Sequence, residues 1–176
     1  MSTTLEESAR RAGAHQWAES RLFEILGSWV ATTPEPEARL MLDRHSHHAA
    51  WRAAQWWDRL PVLADVDRPS LCAPTGPGAA RAAVHLARVE GTVARLAAAY
   101  RVALPRMWSA YDRHRRRAGA VADGSSLRSL GIVLPDLAAD WQEGEQMLQD
   151  MLGRAAQVRE AAAAATALEE LLVPGA

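Results

Sequence analysis

Apolar residues along this chain recur at intervals of three and four, and no segment sustains the two-residue alternation of a half-buried strand. The pattern predicts an all-α protein. Leu22, Ile25, Leu26 and Trp29 form one stripe, placing a first helix at about Leu5–Val30 that closes at Thr32-Thr33-Pro34. Thr33 reads as the N-cap of a second helix, with Pro34 at its first position and Glu35 and Glu37 near the positive end of its dipole. That helix runs to about Leu60 and stops at Pro61. Residues 65–78, carrying Pro69, Pro74, Gly76 and Pro77, read as a long connecting loop. A third helix spans about Ala79–Arg117, with Pro105 expected to kink it. Gly119 and Asp123-Gly124 break the chain, and Ser125 or Ser126 caps a fourth helix, which Pro135 interrupts or restarts before it continues to about Leu172. One long and two short connections predict an antiparallel four-helix bundle with kinked helices 3 and 4, one domain over residues 1–176 with a tail at 173–176.

Turning each helix by 100° per residue shows which polar groups face inward. On the first helix His15 falls on the apolar stripe and Glu19 on its edge, while Glu24 points to solvent. The best face of the second helix holds Ala38, Leu42, Ala49, Trp56 and Leu60, and carries His45 and Arg52 with them. His48 sits at its margin and His47 points away, so the His45–His48 cluster cannot converge as a whole. The third helix buries Leu86, Val89, Val93, Leu96, Tyr100, Met107 and Tyr111, with His85 and His114 near the stripe and Glu90 at its edge. On the fourth, Leu127, Leu130, Leu134, Leu137, Trp141 and Leu148 align; Asp140 flanks them, and Asp136 and Glu143 turn toward water. Several inward ionisable groups on different helices would be costly unless paired, which marks them as candidate chemistry.

Composition narrows the options. With 49% hydrophobic and 23% charged residues and a net charge of -1, the chain fits a folded domain without a generally basic surface. The Arg113–Arg117 run lies at a helix C-terminus, where the dipole favours cations, so nucleic acid is not an expected partner. No apolar run approaches membrane-spanning length, and the N-terminal stretch lacks a signal-like core, which makes cytoplasmic residence the expectation. A single cysteine, Cys72, excludes an internal disulfide framework and a cysteine metal cage. All 20 basic side chains are arginine, so lysine-based covalent catalysis is absent.

The stretches ESRLFEILGSWVATTPEPEARL, RHSHHAAWRAAQWWDRL and DGSSLRSLGIVLPDLAADW resemble a group of bacterial ferritin-like helical proteins. In ferritin-like di-metal proteins, two helices each donate a Glu and two donate a Glu-x-x-His pair. By that resemblance Glu19 corresponds to the first-helix glutamate and Glu90 to its third-helix counterpart. The chain contains no Glu-x-x-His. Where the family carries Glu and His on the second helix, it has His48, Trp51 and Arg52; where an acid-rich run ending in His is expected, it has Asp136 to Asp140. An inward arginine would repel a divalent cation and pair with carboxylates instead.

Two readings of function follow, with a third behind them. In the first, no metal cofactor is used, and a small apolar molecule is bound or transformed between helices, as in a cyclase or isomerase of specialised metabolism. Glu19, His45 and Arg52 would be catalytic, and His15, Trp29, Trp56, Tyr100 and Trp141 would line the substrate pocket. In the second, implied by the resemblance, the chain is a di-iron oxygenase with an atypical ligand set of Glu19, His45, His48, Glu90 and Asp140. In the third, Trp51 and Trp57, which lie off the best face, dock a partner or form a homodimer interface.

Overall fold

A computed structural model describes residues 5–62, 67–119 and 123–173, and these are all-helical, with no strand among them. Residues 65 and 66 of the predicted loop and 174–176 of the predicted tail lie outside the described residues. The first helix, α1 (Leu5–Val30), has the predicted bounds. The Thr33 hydroxyl donates to the Trp29 carbonyl at 2.8 Å, so this residue closes α1 and does not cap the next helix. The second, α2 (Pro36–Trp57), starts two residues later than expected, with Glu35 at the N-cap position. The Glu35 carboxylate is used elsewhere: it accepts a 2.5 Å hydrogen bond from the Thr92 hydroxyl. Together α1 and α2 form a hairpin packed along its length, and at one crossing Ser46 donates to the Phe23 carbonyl at 2.9 Å.

A short helix, α3 (Arg68–Leu71), lies within the predicted loop and rests on α1. The long third helix is divided. It consists of α4 (Pro77–Ala87), α5 (Thr92–Leu96), a π-helical stretch Ala97–Ala103 and α6 (Leu104–Arg117). Gly91, at φ 81°, makes the break between α4 and α5 in a conformation that side chains avoid. The π-helical residues end two positions before Pro105, whose ring cannot donate an N–H and would clash with the carbonyl four residues back, that of Arg101 within the stretch. The disturbance expected as a kink is thus taken up by one wider turn.

The fourth predicted helix is two helices. Pro135 lies inside α7 (Gly124–Met151) without ending it, and both Pro135 and Gly131 are exposed, so the carbonyl freed by the proline faces water. The break comes at Leu152–Arg154, before α8 (Ala155–Leu172), where the Gln157 side chain accepts from the Arg154 backbone N–H at 3.0 Å. Packed against α4, α5 and the π-helical stretch, α8 buries Ala161 and Leu168, while α7 packs against α2, α5, α6 and the π-helical stretch. The core between them includes Leu26, Trp29, Leu42, Trp56, Leu96, Tyr100, Tyr111, Leu130 and Leu137, each essentially inaccessible to solvent. No described helix is long and apolar enough to cross a membrane.

Candidate functional site

Seven residues apart on α2, His45 and Arg52 are both fully buried, and His48 between them is half-buried. This face meets Glu19 of α1 on one side and Asp136, Asp140 and Glu143 of α7 on the other. The Arg52 guanidinium organises the meeting. Its Nε donates to Glu19 Oε1 at 2.9 Å, and its Nη1 donates to Asp136 Oδ2 at 2.6 Å and Asp140 Oδ2 at 2.7 Å. The Tyr111 hydroxyl of α6 adds a donor to Glu19 Oε1 at 2.7 Å. The Glu19 and Asp140 carboxylates raise the Arg52 pKa against its burial, so this group is permanently cationic. Burial raises the Glu19 carboxyl above the ordinary range, opposed by Arg52 and Tyr111. One atom of each partner, Glu19 Oε2 and Arg52 Nη2, is buried with no hydrogen-bond partner among the described residues.

Toward one edge the network continues through histidine. His48 Nδ1 lies 2.7 Å from Asp140 Oδ1, and His45 Nε2 lies 3.1 Å from Glu143 Oε2. His45 Nδ1 meets the Tyr100 hydroxyl at 2.8 Å. Burial lowers the His45 pKa despite the neighbouring acids. Gly144 permits this arrangement, because a Cβ there would sit 2.1 Å from the Tyr100 ring.

On the far side of Tyr111 lies a second buried pair. His15 Nε2 and His114 Nδ1 are 3.1 Å apart, and the His15 ring packs against Trp56 and Tyr111 at centroid distances of 4.7 and 4.5 Å. Burial lowers both histidine pKa values, that of His15 strongly. Beyond this wall a cavity of about 500 Å³ opens between α1, α4, α6 and α8. Alanines form much of its lining, with His15 and Tyr111 on its inner wall.

The predicted residues therefore separate into two neighbourhoods. Glu19, His45, Arg52, His48 and Asp140 come together as the rotation of the helices suggests, but none of them lines the cavity. Of the expected substrate-binding residues, only His15 does. Trp29 and Trp56 are buried in the core and Tyr100 serves His45. Trp141 instead lines a shallower hollow between α6 and α7 with Trp108. Glu90 takes no part: the break at Gly91 leaves it exposed between α4 and α5. Asp136 and Glu143, expected to face water, join the network because arginine and histidine reach beyond the line of the α-carbons. Trp57 lies under the Arg68 guanidinium at 4.5 Å, whereas Trp51 stays exposed.

The donor set does not match two metal ions. Glu19, Asp136 and Asp140 are each already engaged by the guanidinium. His48, Asp136 and Asp140 do bring one ligand atom each within 4.8 Å of one another, a spacing suited to a single ion. Comparison with family models, curated proteins and solved structures finds no match to this chain.

Proposed function

We propose that this chain is a ferritin-like helical bundle that binds a small, largely apolar molecule in the cavity between α1, α4, α6 and α8. In this reading the bundle consists of α1, α2, the Thr92–Arg117 segment and α7, with α8 as an outer addition. Arg52 takes the central position that metal ions hold in the family. The observation that carries the reading is the cavity, whose apolar lining and volume of about 500 Å³ match the usual dimensions of a small-molecule site. The ion cluster supports it from behind: it fixes Tyr111, and Tyr111 and Trp56 hold His15 at the cavity wall. If the bound molecule is transformed, His15 is the imidazole that lines its site, and Glu19, His45 and Arg52 act as positioning residues behind the wall.

The test is binding of a solvatochromic apolar dye by the purified protein. The wild type is expected to enhance its emission saturably, and Ala83→Trp, which fills the cavity from α4, to abolish the effect while leaving the helical circular dichroism intact. Binding unchanged by Ala83→Trp contradicts the assignment.

A second reading is an iron-dependent oxidase, favoured by the three donors His48, Asp136 and Asp140. Elemental analysis separates the two. Stoichiometric iron lost on His48→Ala supports the iron reading, and protein that stays folded and binds dye after exhaustive chelation supports the first.

A further inference from the structure

The cavity is electrically one-sided. Whereas the whole chain has 20 basic and 21 acidic side chains, the described residues that line the cavity include Arg21, Arg106 and Arg113 and no aspartate or glutamate. Two of these cations are already engaged. Arg21 pairs with Glu24 at 2.7 Å, and Arg106 pairs with Glu169 of α8. Arg113, exposed near the end of α6, forms no ion pair among the described residues. It lies at the same end as His15, since its neighbour His114 meets that ring. From there the lining runs past Ala110 and Met107 on α6 to Ala103 of the π-helical stretch, with Leu22 and Ile25 on α1 alongside. The lining thus forms an apolar trough with, at one end, a guanidinium that no described carboxylate pairs.

We infer that the occupant is an amphiphile with one anionic group, of the long-chain carboxylate type. Its carboxylate meets Arg113 and its chain lies along the alanine-lined trough toward α8. The inference rests on the cavity being a ligand site and adds the chemical class of the ligand. An alkyl chain gains from covering apolar wall, in rough proportion to the area removed from water. A guanidinium supplies planar, charge-assisted donors that fit a carboxylate and reject an ammonium group. Neither a neutral alcohol nor a cationic amphiphile satisfies both ends.

Calorimetric titration with decanoate, decanol and decyltrimethylammonium, each below its aggregation concentration, tests this. The wild type is expected to bind decanoate about tenfold more tightly than decanol, as one charge-assisted hydrogen bond warrants, and the ammonium compound not at all. Arg113→Gln should remove the preference for decanoate and leave decanol affinity unchanged. Equal affinity for acid and alcohol, preference for the cation, or a preference that survives Arg113→Gln overturns the headgroup assignment; if Ala83→Trp still blocks the alcohol, the cavity reading stands. Failure of all three compounds to bind overturns both.

Discussion

The helix α1 borders two regions of opposite character. Through Glu19 it enters a cluster of formal charges, and through Ala14, Ala18, Leu22 and Ile25 it borders an apolar cavity. In the first region every helix position is committed, because a buried charge left without its partner is far more expensive than a lost apolar contact. In the second, short alanine side chains leave space that longer ones would fill, and the ion pairs, such as Arg106–Glu169, are solvent-facing. The charged region therefore sets how α1, α2 and α7 sit together, while the apolar region is free to accept a ligand.

The sharpest way to break this contrast is to remove the guanidinium. Arg52→Ala leaves Glu19, Asp136 and Asp140 without their shared cation and is expected to cost about 3–5 kcal/mol in urea denaturation. A loss below about 1 kcal/mol would place the cluster among weak, solvated pairs. Acid tests the buried histidines of both regions next. His15, His45 and His114 all have pKa values lowered by burial, so the unfolded chain binds protons that the folded one resists. Stability is then retained above the unfolded value of about 6.5 and falls as pH drops below it, by up to about 1.4 kcal/mol per unit for each histidine. Thermal melts between pH 8 and pH 5 (about, spanning the unfolded value) that show no decline would contradict this.

Gly144→Ala comes third. It drives a Cβ into the Tyr100 ring and is expected to cost about 1–3 kcal/mol. On the cavity side, Ala83→Trp should change stability by less than about 0.5 kcal/mol, as expected for a position outside the committed packing. A large loss there would mean that the cavity walls are as tightly specified as the cluster.

Much of the charged region was legible in the sequence. The helical period alone brings His45 and Arg52 onto the buried face of α2, Glu19 to the edge of α1 and Asp140 beside the stripe of α7. Asp136 and Glu143 escaped because a helical rotation locates side-chain roots, whereas arginine and histidine extend several ångströms beyond them. Glu90 was misplaced because a single glycine at positive φ ended a helix that periodicity carried through. Pro135 misled in the opposite sense, since an exposed proline whose freed carbonyl meets solvent does not stop a helix. Of the cavity lining, only His15 was legible in the sequence. Much of the rest comes from alanines of α1, α4 and α6 and from α8, which the predicted elements joined to α7, and alanine spacing carries no sign of what stands opposite.

The central claim is that Arg52 and the carboxylates of α1 and α7 form one energetic unit at the middle of the molecule. A double-mutant cycle with Arg52→Met and Glu19→Gln, read by urea denaturation, tests it most directly. The account predicts a coupling energy of about 2–3 kcal/mol, with the double variant more stable than Arg52→Met alone. Additive losses, with coupling below about 0.5 kcal/mol, would contradict it.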